Sequence, residues 1–138
     1  MKHLAKKLGI RSRIDFLGKK PYAEIPTLLL NAGIGVATFP INGGMKKAFP
    51  LKILDYGAAG LPILMTNVTC LSKLVKENKA GIVVENLDPK SVATGILGLV
   101  CNELEWQQRA LNAMTLMRSY DVKRLAAEEI NILLKLVK

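Results

Sequence analysis

Apolar and polar positions along this chain switch between two periods. Ile14-Asp-Phe-Leu17, Ile34-Gly-Val-Ala-Thr-Phe39, Pro62-Ile-Leu-Met65 and Gly81-Ile-Val-Val-Glu85 are short, mostly apolar runs bounded by Gly, Pro or Asn, the pattern of strands covered on both faces. Between them lie segments with helical spacing. Residues 2–8 read as helical turns closed by Gly9. Tyr22 to Leu30 is a helix with Ala23, Ile25, Leu28 and Leu29 as apolar contacts, closed by Gly33. Pro26 starts it near Glu24 or distorts it locally. Cys70 to Asn78 is a short helix. Asp88 caps another, with Pro89 at its first position and Val92, Ile96, Leu99 and Val100 as its buried stripe. Asn102 with Glu105 forms a capping box before a helix carrying Leu104, Leu111, Met114 and Met117. Asp121 caps the last helix, with Leu125, Ile130, Leu133 and Leu134 facing inward.

The central stretch is Phe49-Pro-Leu-Lys-Ile-Leu-Asp55-Tyr-Gly-Ala-Ala-Gly60-Leu-Pro-Ile-Leu-Met-Thr66. It reads as a loop, a helix from Leu51 to Ala59, a tight turn and a buried strand. Pro50 opens the helix at no cost, because the first helical N–H has no partner. Leu51, Leu54 and Ala58 share one face, with Ile53 beside them. Gly60 suits the left-handed residue that ends many helices. Ahead of it, Pro40 to Ala48 is a loop in which Asn42-Gly43-Gly44 turns freely. Strands alternating with helices predict a parallel sheet wound on both sides, with extra C-terminal helices. In such sheets ligands bind at the carboxyl ends of the strands. That edge carries the Pro40–Ala48 loop and the helix start at Phe49–Leu51, whose free N–H groups favour anions. The chain begins inside a helix, so the first βα unit of the sheet is expected to be missing.

Composition narrows the reading. The 138 residues form one domain, and no apolar run reaches the length of a spanning helix. The N-terminus has no apolar stretch after its basic start, so it is not a signal peptide. Cys70 and Cys101 are expected to be reduced, buried thiols of a cytosolic protein. The net charge is +9, and seven of the first twenty residues are basic (Lys2, Lys6, Lys7, Arg11, Arg13, Lys19 and Lys20). That cluster suits phosphate groups or an anionic membrane surface, or serves as a solubilising face. With 5% aromatic residues and no recognition-helix signature, no nucleic acid partner is expected.

No catalytic set appears. His3 is a surface residue of the first turn, and there is no Cys–His pair, nucleophile elbow, metal-ligand cluster or Walker pattern. Catalytic residues are therefore unassigned, and no metal is expected. Asp55 lies one turn below the helix start. Its carboxylate suits a ribose diol, or a surface ion pair with Lys52.

The central stretch resembles the donor-binding signature of retaining, two-Rossmann-domain (GT-B) glycosyltransferases of the group 1, glycogen-synthase-like kind. Those carry a Pro-x-Lys-x-x-Glu-Tyr or Glu-x-x-x-x-x-x-x-Glu helix, then Gly-x-Pro and a Val/Ile-rich strand. Leu8-Gly-Ile-Arg-Ser-Arg-Ile-Asp-Phe-Leu-Gly18, Ala23-Glu-Ile-Pro-Thr-Leu-Leu-Leu-Asn-Ala-Gly-Ile-Gly-Val36, Ala80-Gly-Ile-Val-Val84 and the helices from Asp88, with Asn112-Ala113 and Tyr120, are similar to the family's other blocks. The resemblance covers nearly the whole chain.

It implies an α/β, Rossmann-like domain, residues 1–138, equivalent to the C-terminal half of such an enzyme and truncated at its N-terminal side. It implies that Asp55 holds the donor ribose, and that backbone groups at Gly43, Gly44, Ala48, Phe49 and Leu51 face the donor diphosphate. Lys52 matches the motif lysine. Lys47 stands where the family's first acid meets the donor sugar, and Lys73 where many members carry an acid. The implied substrate is a nucleotide-diphosphate sugar, with no cofactor. The implied partners are an N-terminal acceptor domain or partner subunit and a lipid-linked acceptor or anionic membrane surface. The implied location is cytoplasmic, peripheral at the inner membrane face. The family's basic pair and acceptor domain have no counterpart here, so little or no turnover is expected from this chain alone. The alternative is a non-catalytic, degenerate glycosyltransferase-like interaction module. A receiver-type signalling domain is disfavoured, because no acidic cluster suited to a divalent cation follows the first strand.

Overall fold

The computed structural model describes residues 1–41 and 43–136. Asn42, one residue of the expected flexible turn, lies outside them. The elements are α1 (Lys2–Lys7), α2 (Ile25–Leu30), β1 (Gly35–Ala37), α3 (Lys52–Ala58), β2 (Ile63–Thr66), α4 (Cys70–Glu77), β3 (Gly81–Val84), α5 (Pro89–Val100), α6 (Glu103–Arg118) and α7 (Val122–Leu136). The strands form a parallel sheet in the order β1-β2-β3, with Gly35 opposite Ile63 and Ile63 opposite Gly81.

Every residue of β2 is buried. Its side chains alternate between two cores, as a strand period of two requires. Ile63 and Met65 join Ile53 of α3, Leu71 and Val75 of α4, and Ala113 and Met117 of α6. Leu64 faces the other way, onto Val84 and Leu99 with Val92 and Ile96 of α5. Ile63, Leu64 and Met65 are 0% exposed, and each such side chain contributes about 2 kcal/mol of burial. The strands advance in one direction across the sheet, so the crossovers α3 and α4 share a face and α5 turns back to cover the other.

Local signals explain the helix boundaries. Asp88 caps α5 by accepting from the N–H groups of Lys90 and Ser91. Asn102 Oδ1 accepts from Glu105 N at 3.1 Å, half of the expected capping box; the Glu105 carboxylate turns to Arg109 instead, at 3.4 Å. Asp121 Oδ1 caps α7 through Arg124 N at 3.0 Å. Gly60, at φ +72°, ends the α3 segment as expected. Pro26 divides the Tyr22–Leu30 helix into a 3-10 turn, Tyr22–Glu24, and α2. Two long-range bonds seat α6: Trp106 Nε1 donates to Gly33 O at 2.6 Å, and Arg109 Nη1 donates to Gly81 O at 3.1 Å.

Several expectations are corrected. The segment 14–17 is no strand of the sheet. Its groups find local partners: Arg11 Nη1 donates to Ile14 O at 2.9 Å, and Lys2 and Arg11 lie over the Phe16 ring at 5.8 and 5.0 Å. β1 is shorter than 34–39, because the backbone of Phe39 is held by a side chain rather than by a ladder. Thr66 Oγ1 accepts from Phe39 N at 2.9 Å and lies 3.0 Å from Phe39 O, to which it donates.

The buried face of α3 is Ile53 and Gly57; Leu51 and Ala58 are exposed. Gly57 lets α6 approach so closely that a Cβ there would strike the Met117 side chain. For the same reason α6 buries Ala110, Ala113, Leu116 and Met117, while Leu104, Leu111 and Met114 are exposed. On α5, Val100 is exposed. On α7, Leu125, Ile130, Leu133 and Leu134 are all exposed, because its amphipathic pattern meets no covering element among the described residues. Cys70 and Cys101 are free but exposed rather than buried, since they occupy the first position of α4 and the C-cap of α5.

Three substitutions test this packing. A Cβ at Gly81 would fall on the Ile63 carbonyl of the neighbouring strand. Gly81→Ala should therefore lower stability by about 3 kcal/mol in urea unfolding. Leu133→Gln on the uncovered α7 should stay within about 0.5 kcal/mol. Tyr56 packs against the core, and its phenol pKa is raised from 10.0, first by burial and then by the Asp55 carboxylate. Folding thus favours the neutral phenol. Its stabilising share is complete below pH 10 and lost as pH rises through the raised value. Stability of Tyr56→Phe should fall less steeply than wild type in that alkaline window.

Candidate functional site at the carboxyl edge of the sheet

β1 and β2 run in parallel, so the chain leaves both at the same edge. From β1 the chain passes Phe39 and enters the 40–51 loop, which contains a 3-10 turn at Gly43–Met45, and then α3. From β2 it passes Asn67 to Thr69 and enters α4. The loop is held at three points. The Thr66 hydroxyl clamps its start, as above. The Cys70 thiol donates to Ala48 O at 3.5 Å. The Phe49 ring packs on Tyr120, with centroids 5.7 Å apart and planes tilted by 54°.

The residues expected to face a diphosphate lie together in this loop. Gly44, Lys47, Phe49 and Leu51 are exposed, and Ala48 is partly covered. The Ala48 N–H donates to Met45 O at 3.0 Å, so it is already engaged in this conformation. Leu51 is the N-cap of α3 and makes no side-chain cap. Pro50 contributes no N–H. Lys52 does not turn toward Asp55: its ammonium lies over the Phe39 ring, 5.2 Å from the centroid.

Asp55 is half-buried one turn into α3 and its N–H donates to Leu51 O at 3.1 Å. Its carboxylate accepts a long hydrogen bond from the Tyr22 hydroxyl, at 3.4 Å. Asp55 and Tyr22 line a concavity of about 570 Å³ with Met114, Arg118 and Tyr120. The ordinary surface ion pair with Lys52 is thus replaced by a tyrosine partner and a groove.

A second cleft, of about 400 Å³, opens between the two strand exits. Ile41 and Lys46 line it from the loop, and Asn67 to Cys70 with Ser72 from the start of α4. The two concavities differ: Asp55 faces the groove toward α2 and α6, whereas Lys46, a neighbour of the candidate Lys47, faces the cleft beside α4. Tyr22, Lys46, Asn67 and Thr69 were not singled out from the sequence. For Asn67 and Thr69 a signal was present, since Thr66-Asn-Val-Thr69 places polar residues between a buried strand and a helix start. Tyr22 shows no such signal, because its place beside Asp55 depends on how α2 docks.

Of the first twenty residues, the seven basic side chains are all exposed. Some already have partners, Lys2 and Arg11 on Phe16 and Lys20 on Glu24 at 3.0 Å. Lys73 is exposed and pairs with Glu77 at 3.8 Å. Among the described residues, no three His, Cys, Asp or Glu side chains come together, and no helix is long and apolar enough to cross a membrane.

Known proteins resemble this chain in sequence and in fold. A D-inositol 3-phosphate glycosyltransferase of Corynebacterium urealyticum is 29% identical over 103 residues, which is 75% of this chain and 23% of that protein. A human chitobiosyldiphosphodolichol beta-mannosyltransferase is 33% identical over 63 residues, 46% of this chain and 13% of that protein. The crystal structure of WaaG, a glycosyltransferase involved in lipopolysaccharide biosynthesis, superposes with a TM-score of 0.72 over 95% of this chain and 34% of that one, at 21% identity. The chain thus spans less than a quarter of the length of the curated relatives it matches. Residues 1–114 match the family described as Glycosyl transferases group 1. With its parallel α/β sheet and the 49–66 stretch at the strand exits, this chain belongs to the group 1 glycosyltransferases.

Proposed function

We propose that this domain binds the nucleotide-diphosphate sugar donor of a group 1 glycosyltransferase, and that the acceptor side of the reaction is supplied by polypeptide outside it. The observation that carries the reading is the placement of Asp55. It lies one turn below the exposed start of α3, the helix entered from the β1 exit, and lines the groove with Tyr22, Arg118 and Tyr120.

In this reading the Asp55 carboxylate accepts from the ribose hydroxyls, taking them in place of the long bond from Tyr22. The N–H groups of Phe49 and Leu51, with the positive end of α3, meet the diphosphate. Gly43 and Gly44 let the loop approach it without side chains in the way. Lys47, exposed in the same loop, is a donor only. It therefore approaches sugar hydroxyl oxygens or the leaving diphosphate, the reverse of what a carboxylate does there. Lys52, over the Phe39 ring, braces the loop start. Loss of a nucleotide diphosphate develops charge on the diphosphate, and stabilising that charge is the main electrostatic task of the transfer.

Isothermal titration calorimetry with uridine and guanosine diphosphate sugars tests the reading. Wild type should bind at least one of them at millimolar ligand. Asp55→Ala should weaken that binding about tenfold, equivalent to about 1.4 kcal/mol. Absence of binding to either sugar nucleotide, or equal binding by the variant, overturns the donor assignment and leaves the interaction-module reading standing.

A further inference from the structure

The first twenty residues carry a charge excess that the rest of the chain does not. Seven are basic against the single acid Asp15, whereas the remainder holds thirteen basic and ten acidic side chains. Like charges gathered on one surface repel one another, so the cluster is a cost to the isolated fold. Lys2 and Arg11 are engaged by Phe16, and Lys20 by Glu24. Lys6, Lys7, Arg13 and Lys19 are exposed and have no acidic partner among the described residues, and Asp15 pairs with none of them.

The backbone gathers these cations on one small unit. α1 ends in a Schellman turn: the Gly9 N–H donates to Lys6 O at 3.1 Å, the Ile10 N–H donates to Ala5 O at 3.0 Å, and Gly9 takes φ +68°. The chain therefore doubles back, and Lys2 and Arg11 meet on the Phe16 ring. Of α1 only Ala5 is buried. Leu4 and Leu8, four residues apart and so adjacent on the helix surface, are 57% and 60% exposed. Lys7 stands beside Leu4 at the three-residue spacing, and Ile10 is exposed just past the helix end.

Exposed leucines beside unpaired lysines are the two halves of a surface that rests on a bilayer. The aliphatic side chains enter the headgroup boundary, while the ammonium groups stay among the lipid phosphates. A helix of six residues with this pattern lies on a membrane and is far too short to cross it. Nucleic acid matches the surface less well. It makes no use of Leu4 and Leu8, and Phe16, the one phenyl ring of the segment, is half-buried and already carries two cations instead of a base.

We propose that the surface formed by residues 1–20, with α1 at its centre, docks this domain on an anionic phospholipid bilayer. Lys6, Lys7, Arg13 and Lys19 supply the attraction, and Leu4, Leu8 and Ile10 the apolar anchor. None of them lines the Asp55 groove or the cleft beside α4, so docking leaves the candidate donor site open. The inference goes beyond the donor reading and does not depend on it.

The test is co-sedimentation of the full chain with vesicles of phosphatidylcholine mixed with phosphatidylglycerol, beside vesicles of phosphatidylcholine alone. The chain should bind the anionic vesicles, leave the neutral ones, and dissociate as salt is raised. Lys6→Gln combined with Lys7→Gln should weaken binding about 25-fold, about fivefold for each charge removed. Leu4→Gln combined with Leu8→Gln keeps the net charge and should weaken binding about tenfold. All four positions are exposed, so both variants should melt with the wild type. Leu133→Gln on α7 should bind as wild type does. Equal binding to neutral and anionic vesicles, or to neither, overturns the proposal. So does binding unchanged in the lysine variant or in the leucine variant, the second result meaning adsorption by charge alone. Binding lost in Leu133→Gln and kept in the N-terminal variants would move docking to α7 and overturn it. Tighter binding to polyuridylate than to anionic vesicles, insensitive to the leucine changes, would make the surface a nucleic acid site. Self-association lost with the leucine changes, without vesicle binding, would make it a contact between copies. Either result overturns the proposal.

Discussion

One buried hydroxyl fixes where this domain presents its chemistry. Thr66 is fully enclosed at the end of β2, and its Oγ1 serves both the N–H and the C=O of Phe39. Those two backbone groups lie just past the last paired residue of β1, where the ladder has ended. Left unpartnered they would oppose burial of Phe39, since each buried polar group without a bond costs about 1–3 kcal/mol. With them satisfied, β1 hands over to the loop at a set height on the sheet edge. The Cys70–Ala48 contact and the Phe49–Tyr120 packing then fix the middle and end of the same loop. Candidate ligand groups are thus positioned by single side-chain contacts on a sheet that is itself rigid.

That rigidity comes from how closely the layers approach. β2 is the central strand and is apolar on both sides. Gly57 on α3 and the alanines at 110 and 113 on α6 bring two helices together, so that Met117 reaches the core. A Cβ at Gly57 would displace that methionine, and the helix that carries Asp55 would shift with it. The same small residues that make the packing possible therefore set the position of the candidate ribose contact.

Elements with strong local punctuation were legible in the sequence. β2 follows a Gly-Leu-Pro turn and is apolar without interruption, and α5 opens on Asp88-Pro89. What depended on partners was not. The segment 14–17 has the composition of a strand, but a strand exists only beside another, and here Arg11 and Lys2 engage it instead. Leucines at 104 and 111 look more core-forming than alanines at 110 and 113, yet close helix approach selects the alanines. The carboxyl-edge loop and Asp55 were found from chain order and motif, whereas Tyr22 beside Asp55 emerges only from the folded packing.

The bond from Trp106 to the Gly33 carbonyl has a spectroscopic consequence. Trp106 is the sole tryptophan of the chain, and its indole N–H spans from α6 to the turn that precedes β1. Its emission reports the seating of α6 on the sheet. It is silent about the uncovered α7, so a fluorescence melt and a helix-sensitive circular dichroism melt of this domain weigh different parts of it. Where the two curves separate, the difference belongs to helices outside that seat, the 15-residue α7 foremost, and the protein carries its own internal reference for telling core unfolding from the fraying of such helices.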